Sequence, residues 1–187
     1  MARPLDQTKR RAILDAALRI ISGEGLSATT AQIAREAGVS AGSLFTYFPD
    51  KNTLLNQLYL TIKTEVAAAL MQDFPLQANI RDRAFHVWSA YIGWACRCPQ
   101  ERATLQQLTV SRVVTADVRE QSAMLFEATN VMLRELSSAG ICDDVDFVTT
   151  VLASLAEATA DFAMRSPEQS NKFIEKGFEM FYRATGI

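Results

Sequence analysis

The chain has 187 residues, 49% hydrophobic and 21% charged, with a net charge of −2. That length holds one large domain, or a small module joined to a larger one, and the balance excludes a disordered chain. Five prolines and eight glycines are too few for low-complexity linkers. No apolar run reaches the ~18 residues of a membrane span, and "MARPLDQTKRR" lacks the apolar stretch of a secretory signal. Three cysteines without framework spacing (Cys96, Cys98, Cys142) suit free thiols in a reducing compartment, so a cytoplasmic chain is expected. Charge is unevenly spread. Residues 1–60 carry seven Lys/Arg against five Asp/Glu, and residues 61–187 twelve against sixteen. Near the start, Arg3, Lys9, Arg10 and Arg11 face only Asp6, which reads as a polyanion-binding arm or as a solvated tail.

Nearly every segment shows helical periodicity and none shows strand alternation. Residues 7–23 place Ile13, Ala16, Ala17, Ile20 and Ile21 on one stripe, with Gly23 and Gly25 as the stop. In "TTAQIAREAGVS", Thr29 and Gln32 form a capping box, Ile33, Ala34 and Ala37 an apolar side, and Gly38 the end. Ser40 caps a short helix that Pro49 closes. Asp50 caps a long helix to about residue 73, and Asn79 starts another that lasts to "CRCP". A shorter helix covers 99–110, and Thr115 caps a long one ending at Gly140. The last pair spans 143–165 and 167–185, with Ser166 as cap and Pro167 at the first helical position. The expected fold is all-α with about nine helices. A helix-turn-helix domain of three helices occupies 1–50, its motif at 29–48, and a helical body occupies 51–187.

Two helices this short are not stable alone, so they must be held against the helix over 7–23. Leu44, Phe48, Ile33 and Val39 make the inward side. Ala41, Gly42, Ser43, Phe45, Thr46 and Tyr47 make the other. A helix entering a DNA major groove needs small leading residues, so that its backbone can approach the base edges. Ser43 and Thr46 can bond bases or phosphates, and Phe45 can touch a thymine methyl. Tyr47 and Lys51 at the exit suit phosphate oxygens, with Thr29, Thr30, Lys9 and Arg10 on the flanks. The alternative for Phe45 and Tyr47 is a place in the core beneath this helix.

The stretch "AALRIISGEGLSATTAQIAREAGVSAGSLFTYFPDKNTLL", residues 16–55, strongly resembles the TetR family of bacterial transcriptional repressors. The spacing T-x-x-IA-x-x-AGVS-x-G-x-LF-x-YF-x-x-K-x-x-L carries the likeness. The resemblance implies an all-helical homodimer with a DNA-binding head and a body holding an inducer pocket. It assigns the DNA contacts to Thr30, Ala41, Gly42, Ser43, Phe45, Thr46, Tyr47 and Lys51. Positions 41 and 46 are small here, where some relatives carry larger base-reading side chains, so sequence preference does not transfer.

In the body, the helices over 143–165 and 167–185 resemble the pair that builds the family's intersubunit four-helix bundle. Phe147, Val148, Val151, Leu152 and Leu155 give the first an apolar side. Phe173, Ile174, Phe178, Phe181 and Tyr182 give the second one, with Gly177 allowing close approach. "FHVWSAYIGW", residues 85–94, packs five rings into ten residues. Phe85 and Trp88 share a helical face there, with Tyr91 and Trp94 turned elsewhere, and Phe126 and Met132 lie on the helix after Thr115. Glu157 and Asp161 are like charges at helical spacing, which a cationic ligand would offset. The plain alternative is aromatic core and solvated acids. "SAYIGWACRCP" and "AEATADFAMRSPEQ" resemble the RamR-like, multidrug-responsive branch of the family. That likeness makes Tyr59, Trp88, Phe126, Asp161 and Phe162 the candidate inducer contacts, for a small lipophilic or cationic aromatic molecule. The function expected is a ligand-released repressor, dimeric on a palindromic DNA operator.

His86 reads as a surface or packing residue. Cys96 and Cys98, beside Arg97, offer a redox-sensing alternative, but zinc lacks a fourth ligand in one chain and no metal or cofactor is expected. A helical hydrolase using Asp161 or Glu157 is the enzyme alternative. No clustered His with Ser or Cys and no glycine-rich phosphate loop supports it, so an enzyme is not expected.

Overall fold

Ten α-helices and one 3-10 turn make up the described part of the chain, residues 6–139, 142 and 144–185 of the computed structural model. Arg3 of the expected arm and Gly140, the expected end of a body helix, lie outside the described residues. Among the described residues there is no strand, and the fold is all-helical.

Helix α1 (Gln7–Glu24) starts where the Asp6 carboxylate accepts from the Thr8 backbone N–H at 2.9 Å. Its buried side is Ile13, Leu14, Ala16, Ala17 and Ile21, with Ile20 only half-buried. The helix runs through Gly23 and stops at Gly25, whose φ of +80° is the left-handed turn that glycine permits. Helices α2 (Thr30–Glu36), α3 (Ala41–Tyr47) and α4 (Lys51–Met71) follow the sequence reading closely. Asp50 caps α4, accepting from Thr53 N–H at 2.7 Å. Helices α5 (Ile80–Arg97) and α6 (Pro99–Val110) also fall where expected.

Three details differ. The helix expected from Thr115 to Gly140 is two helices, α7 (Ala116–Met124) and α8 (Glu127–Ala139). No glycine or proline marks the break. Helix α7 belongs to one compact unit and α8 to the other, and the chain turns at Leu125 and Phe126 as it leaves the first. Helix α9 (Val145–Arg165) begins one residue after its Asp144 cap, whose carboxylate accepts from Phe147 N–H at 3.0 Å. After it, residues Pro167–Gln169 form a 3-10 turn, Ser166 makes no side-chain cap bond, and α10 (Ser170–Thr185) starts three residues later than expected. Proline at a first helical position fits a 3-10 turn as well as an α-helix, so the capping residues alone do not separate the two.

The chain packs as two compact units. The first unit joins the chain up to Thr64 with Pro99–Ala123, and the second joins Glu65–Cys98 with 124–187. In the first, α6 lies against α1, and the buried Asn56 of α4 fixes the loop before α7. Its amide donates to the carbonyls of Asn52 at 2.7 Å and Val113 at 3.0 Å, and its oxygen accepts from Thr115 N–H at 3.0 Å. In the second, α5 and α10 pack on α9 around Trp88, Phe178 and Phe181. Trp88 stacks on Phe181 at 6.2 Å and donates its indole N–H to the Ile174 carbonyl at 2.8 Å. Gly177 is required there: a Cβ at this position would lie 2.8 Å from the Trp88 ring and 2.5 Å from Thr159 Oγ1. Close approach, foreseen for Gly177, has these two side chains as its partners. His86 is a packing residue, edge-on to Phe74 with ring centroids 5.6 Å apart.

Candidate nucleic-acid interface

Two short helices are held by their caps and by one buried side. Thr29 Oγ1 accepts from Gln32 N–H at 3.2 Å, and the Gln32 side-chain oxygen accepts from Thr29 N–H at 2.8 Å, closing the capping box. The turn into α3 pivots on Gly38, with φ +67°, while Val39 N–H donates to the Ala34 carbonyl at 2.9 Å. Ser40 Oγ then accepts from Ser43 N–H at 3.1 Å to start α3. Ile33, Leu44 and Phe48 are fully buried, as the i, i+4 spacing of Leu44 and Phe48 requires, and Val39 is half-buried. Burying a Leu or Phe side chain contributes about 1.5–3 kcal/mol, enough to hold a seven-residue helix that would not persist alone.

The opposite side of α3 is open. Ala41, Gly42, Phe45 and Thr46 are exposed, Phe45 to 44%, and Ser43 and Tyr47 are half-exposed. The core alternative for Phe45 and Tyr47 is therefore not what the packing shows. Gly42 is informative. A Cβ there would meet nothing within 4 Å, and its φ is helical, so nothing inside the protein requires glycine. Glycine within a helix costs about 0.5–1 kcal/mol relative to alanine. The side chain it lacks leaves room for something outside the molecule.

The flanking cations are less free than the sequence implies. The Lys51 ammonium donates to the Leu26 carbonyl at 2.6 Å, which commits one of its three N–H donors to the turn between α1 and α2. Arg10 donates to Gln57 Oε1 at 2.6 Å and lies 5.4 Å from the centre of the Phe48 ring. Both therefore brace the head, Arg10 by tying α1 to α4 across Phe48. Lys9 and Thr29 are exposed and Thr30 half-exposed.

Residues 13–58 match the family model for bacterial regulatory proteins of the tetR family. An HTH-type transcriptional regulator BetI from Escherichia coli O45:K1 is 31% identical over 137 residues, covering 62% of this chain and 69% of that protein. The chain belongs to the tetR family. A BetI from Cronobacter sakazakii is 46% identical over 63 residues, 33% of this chain and 31% of that one. Among solved structures, a putative tetR family transcription regulator from Shewanella sp. PV-4 superposes with TM-score 0.87 at 28% identity, covering 96% of this chain and 98% of that one. One from Marinobacter aquaeolei VT8 has TM-score 0.84 at 21% identity, with 96% of each chain covered, and shows the shared fold. This TetR-family protein is a DNA-binding transcription regulator, and its relatives are regulators, so the hydrolase alternative falls.

In the body of this TetR-family regulator, the five candidate inducer residues occupy different environments. Tyr59 is buried in the first unit. Of those in the second, Trp88 is buried, with its N–H satisfied by Ile174. Phe126 and Asp161 are half-buried. Phe162 is 51% exposed, with its ring 5.5 Å from Phe173 and the Arg165 guanidinium 5.0 Å from its centre. Trp88 is core and Phe162 is surface. Helix α9 is apolar on most of its circumference, so sequence alone does not say which of its rings turns inward. The tension expected between Glu157 and Asp161 is met at Glu157 by the Tyr91 hydroxyl, which donates to its carboxylate. The face that turns Tyr91 away from Trp88 is the one that brings it to this acid. Cys96 is exposed, and Cys98 and Cys142 are half-buried.

Two structural residues of the head, Asn56 and Gln57, have no role in the sequence reading. The signal for them is "TLLNQLYL", where a poor helix former interrupts a leucine run and so marks a polar group with partners.

Proposed function

We propose that this regulator is a homodimeric repressor of a palindromic operator, released by a small lipophilic or cationic aromatic inducer. The observation that carries the reading is α9, which has work on two sides. Its most apolar 18-residue window is only 28% buried, although the composition suits a core helix or even a membrane span. Phe147 at 59%, Phe162 at 51% and Met180 of α10 at 65% exposure lie on these two helices. A helix apolar on most faces must bury a second one, and a second copy of the same pair supplies the cover. Further along α9, Tyr91 and Glu157 meet, with Asp161 one turn on. Rings and carboxylates together attract an aromatic cation. This chemistry, with the likeness of the body segments noted above, supports a multidrug-responsive, cytoplasmic regulator.

Release follows from linkage. Two heads must meet major grooves one helical turn apart, about 34–36 Å. Helix α4 begins directly after the head's capped turn, so a shift along it misplaces α3. The inducer acts only if it binds the misplaced state more tightly, and coupling of about 1–3 kcal/mol is usual.

The experiment is a sedimentation and DNA-binding pair. Wild type should sediment as a dimer at micromolar concentration, and Phe147→Asp with Met180→Asp should be monomeric while keeping its helicity. A cationic triphenylmethane dye should release DNA from the wild type at lower concentration than a neutral polycyclic aromatic. A monomeric wild type, or release by neither compound, overturns the reading.

A further inference from the structure

Resting on the DNA-binding reading, we infer that α3 selects its operator through thymine C5-methyl groups, met by Phe45 and the Thr46 methyl, rather than by hydrogen bonds from those two positions. Three observations point there. The open side of α3 holds no amide, guanidinium or carboxylate, the groups that form bidentate contacts with base edges. The one hydroxyl on its fully exposed part, that of Thr46, donates to the Gly42 carbonyl at 3.0 Å, one turn back. Its hydrogen is committed inside the helix, and the tetrahedral Cβ turns the γ-methyl away from that carbonyl. Phe45 adds an exposed ring with no polar atom.

An apolar group in the major groove has one apolar partner on the bases, the thymine methyl. Against G·C it would instead cover the amino and carbonyl groups of the base edges and leave them unpaired, which costs affinity. Gly42 lets the backbone sink far enough for a short Thr methyl to reach. Ser43 and Tyr47, half-exposed, remain for polar contacts, most simply to the phosphates that set the register. The half-site therefore carries an A·T pair, with its thymine facing Phe45 and Thr46.

The test compares two duplexes from the region upstream of the gene, one normal and one with every thymine replaced by uracil. Uracil keeps each hydrogen-bonding group and removes only the methyl. Wild type should bind the uracil duplex about fourfold more weakly for each thymine methyl that α3 covers, the transfer value of one buried methyl-sized group. Phe45→Ala should bind both more weakly and show most of that difference gone. Thr46→Val keeps the methyl and drops the hydroxyl, so the uracil penalty should persist; Thr46→Ser does the reverse, so the penalty should shrink. Circular dichroism checks that each variant is folded. Equal affinity of wild type for both duplexes overturns the inference while leaving DNA binding intact. So does a Thr46→Val variant that loses its sequence preference, since the hydroxyl would then be reading the base. Failure of wild type to form a salt-sensitive complex with either duplex removes the DNA-binding reading and this inference with it.

Discussion

Replacing Asn56 with alanine tests whether the head's supporting unit is held by a single polar clamp. The side chain is buried, and its three hydrogen bonds join α4 to itself and to the loop between α6 and α7. In Asn56→Ala the Asn52 carbonyl keeps its place in the helix. The Val113 carbonyl and the Thr115 N–H are left without this partner in a partly buried setting. An orphaned buried group costs about 1–3 kcal/mol, so two cost roughly 2–6 kcal/mol. Alanine returns about half a kcal/mol through helix propensity. The net loss is then about 1.5–5.5 kcal/mol, a large share of a typical 5–15 kcal/mol of stability. Urea denaturation followed by circular dichroism reads it as a lower midpoint at unchanged slope, with a melting temperature roughly 5–15 °C lower. A loss under about 0.5 kcal/mol would refute the clamp and mean that water replaces the side chain freely.

Gly177→Ala should destabilise by about 1–3 kcal/mol through overpacking, because its Cβ meets Thr159 and Trp88. Adding Thr159→Ala should restore part of the loss, whereas equal melting temperatures for Gly177→Ala and wild type would contradict the close approach. Thr29→Ala removes one half of the capping box and should cost about 1 kcal/mol in thermal melts. Burial holds the Lys63 ammonium below its ordinary value of 10.5. The folded state therefore binds fewer protons than the unfolded state between the two pKa values, so stability should rise with pH through that window. Lys63→Met should flatten this rise in urea midpoints measured from neutral pH to 11, and an unchanged rise would assign it to other groups.

Much of the head is legible in the sequence because its determinants are local. Thr29 with Gln32, Ser40 before a small first turn, and Pro49 each act within four residues, and the inward side of α3 follows from spacing alone. The positions of Lys51 and Arg10 are not legible. Their charges suggest phosphate, but a carbonyl 25 residues away and a glutamine 47 residues away hold them. In the body, the same limit explains the break at Leu125 and Phe126, where the chain passes between packing units without a breaking residue. It also explains Phe162. A helix with rings and methyls on nearly every face gives periodicity no direction to choose, and only the partners Phe173 and Arg165 place that ring outside.

Whether the open side of α3 lies against DNA is probed most directly by Gly42→Leu. Beyond its chain neighbours and its own helix backbone, the added Cβ meets no atom within 4 Å, so the variant should melt at or slightly above the wild-type temperature. Fluorescence anisotropy with the upstream duplex, titrated from about 50 to 200 mM salt, should then show a steep loss of affinity with salt for wild type and no specific complex for Gly42→Leu. A folded Gly42→Leu protein that binds the same duplex with wild-type affinity and salt slope would contradict DNA recognition by this face.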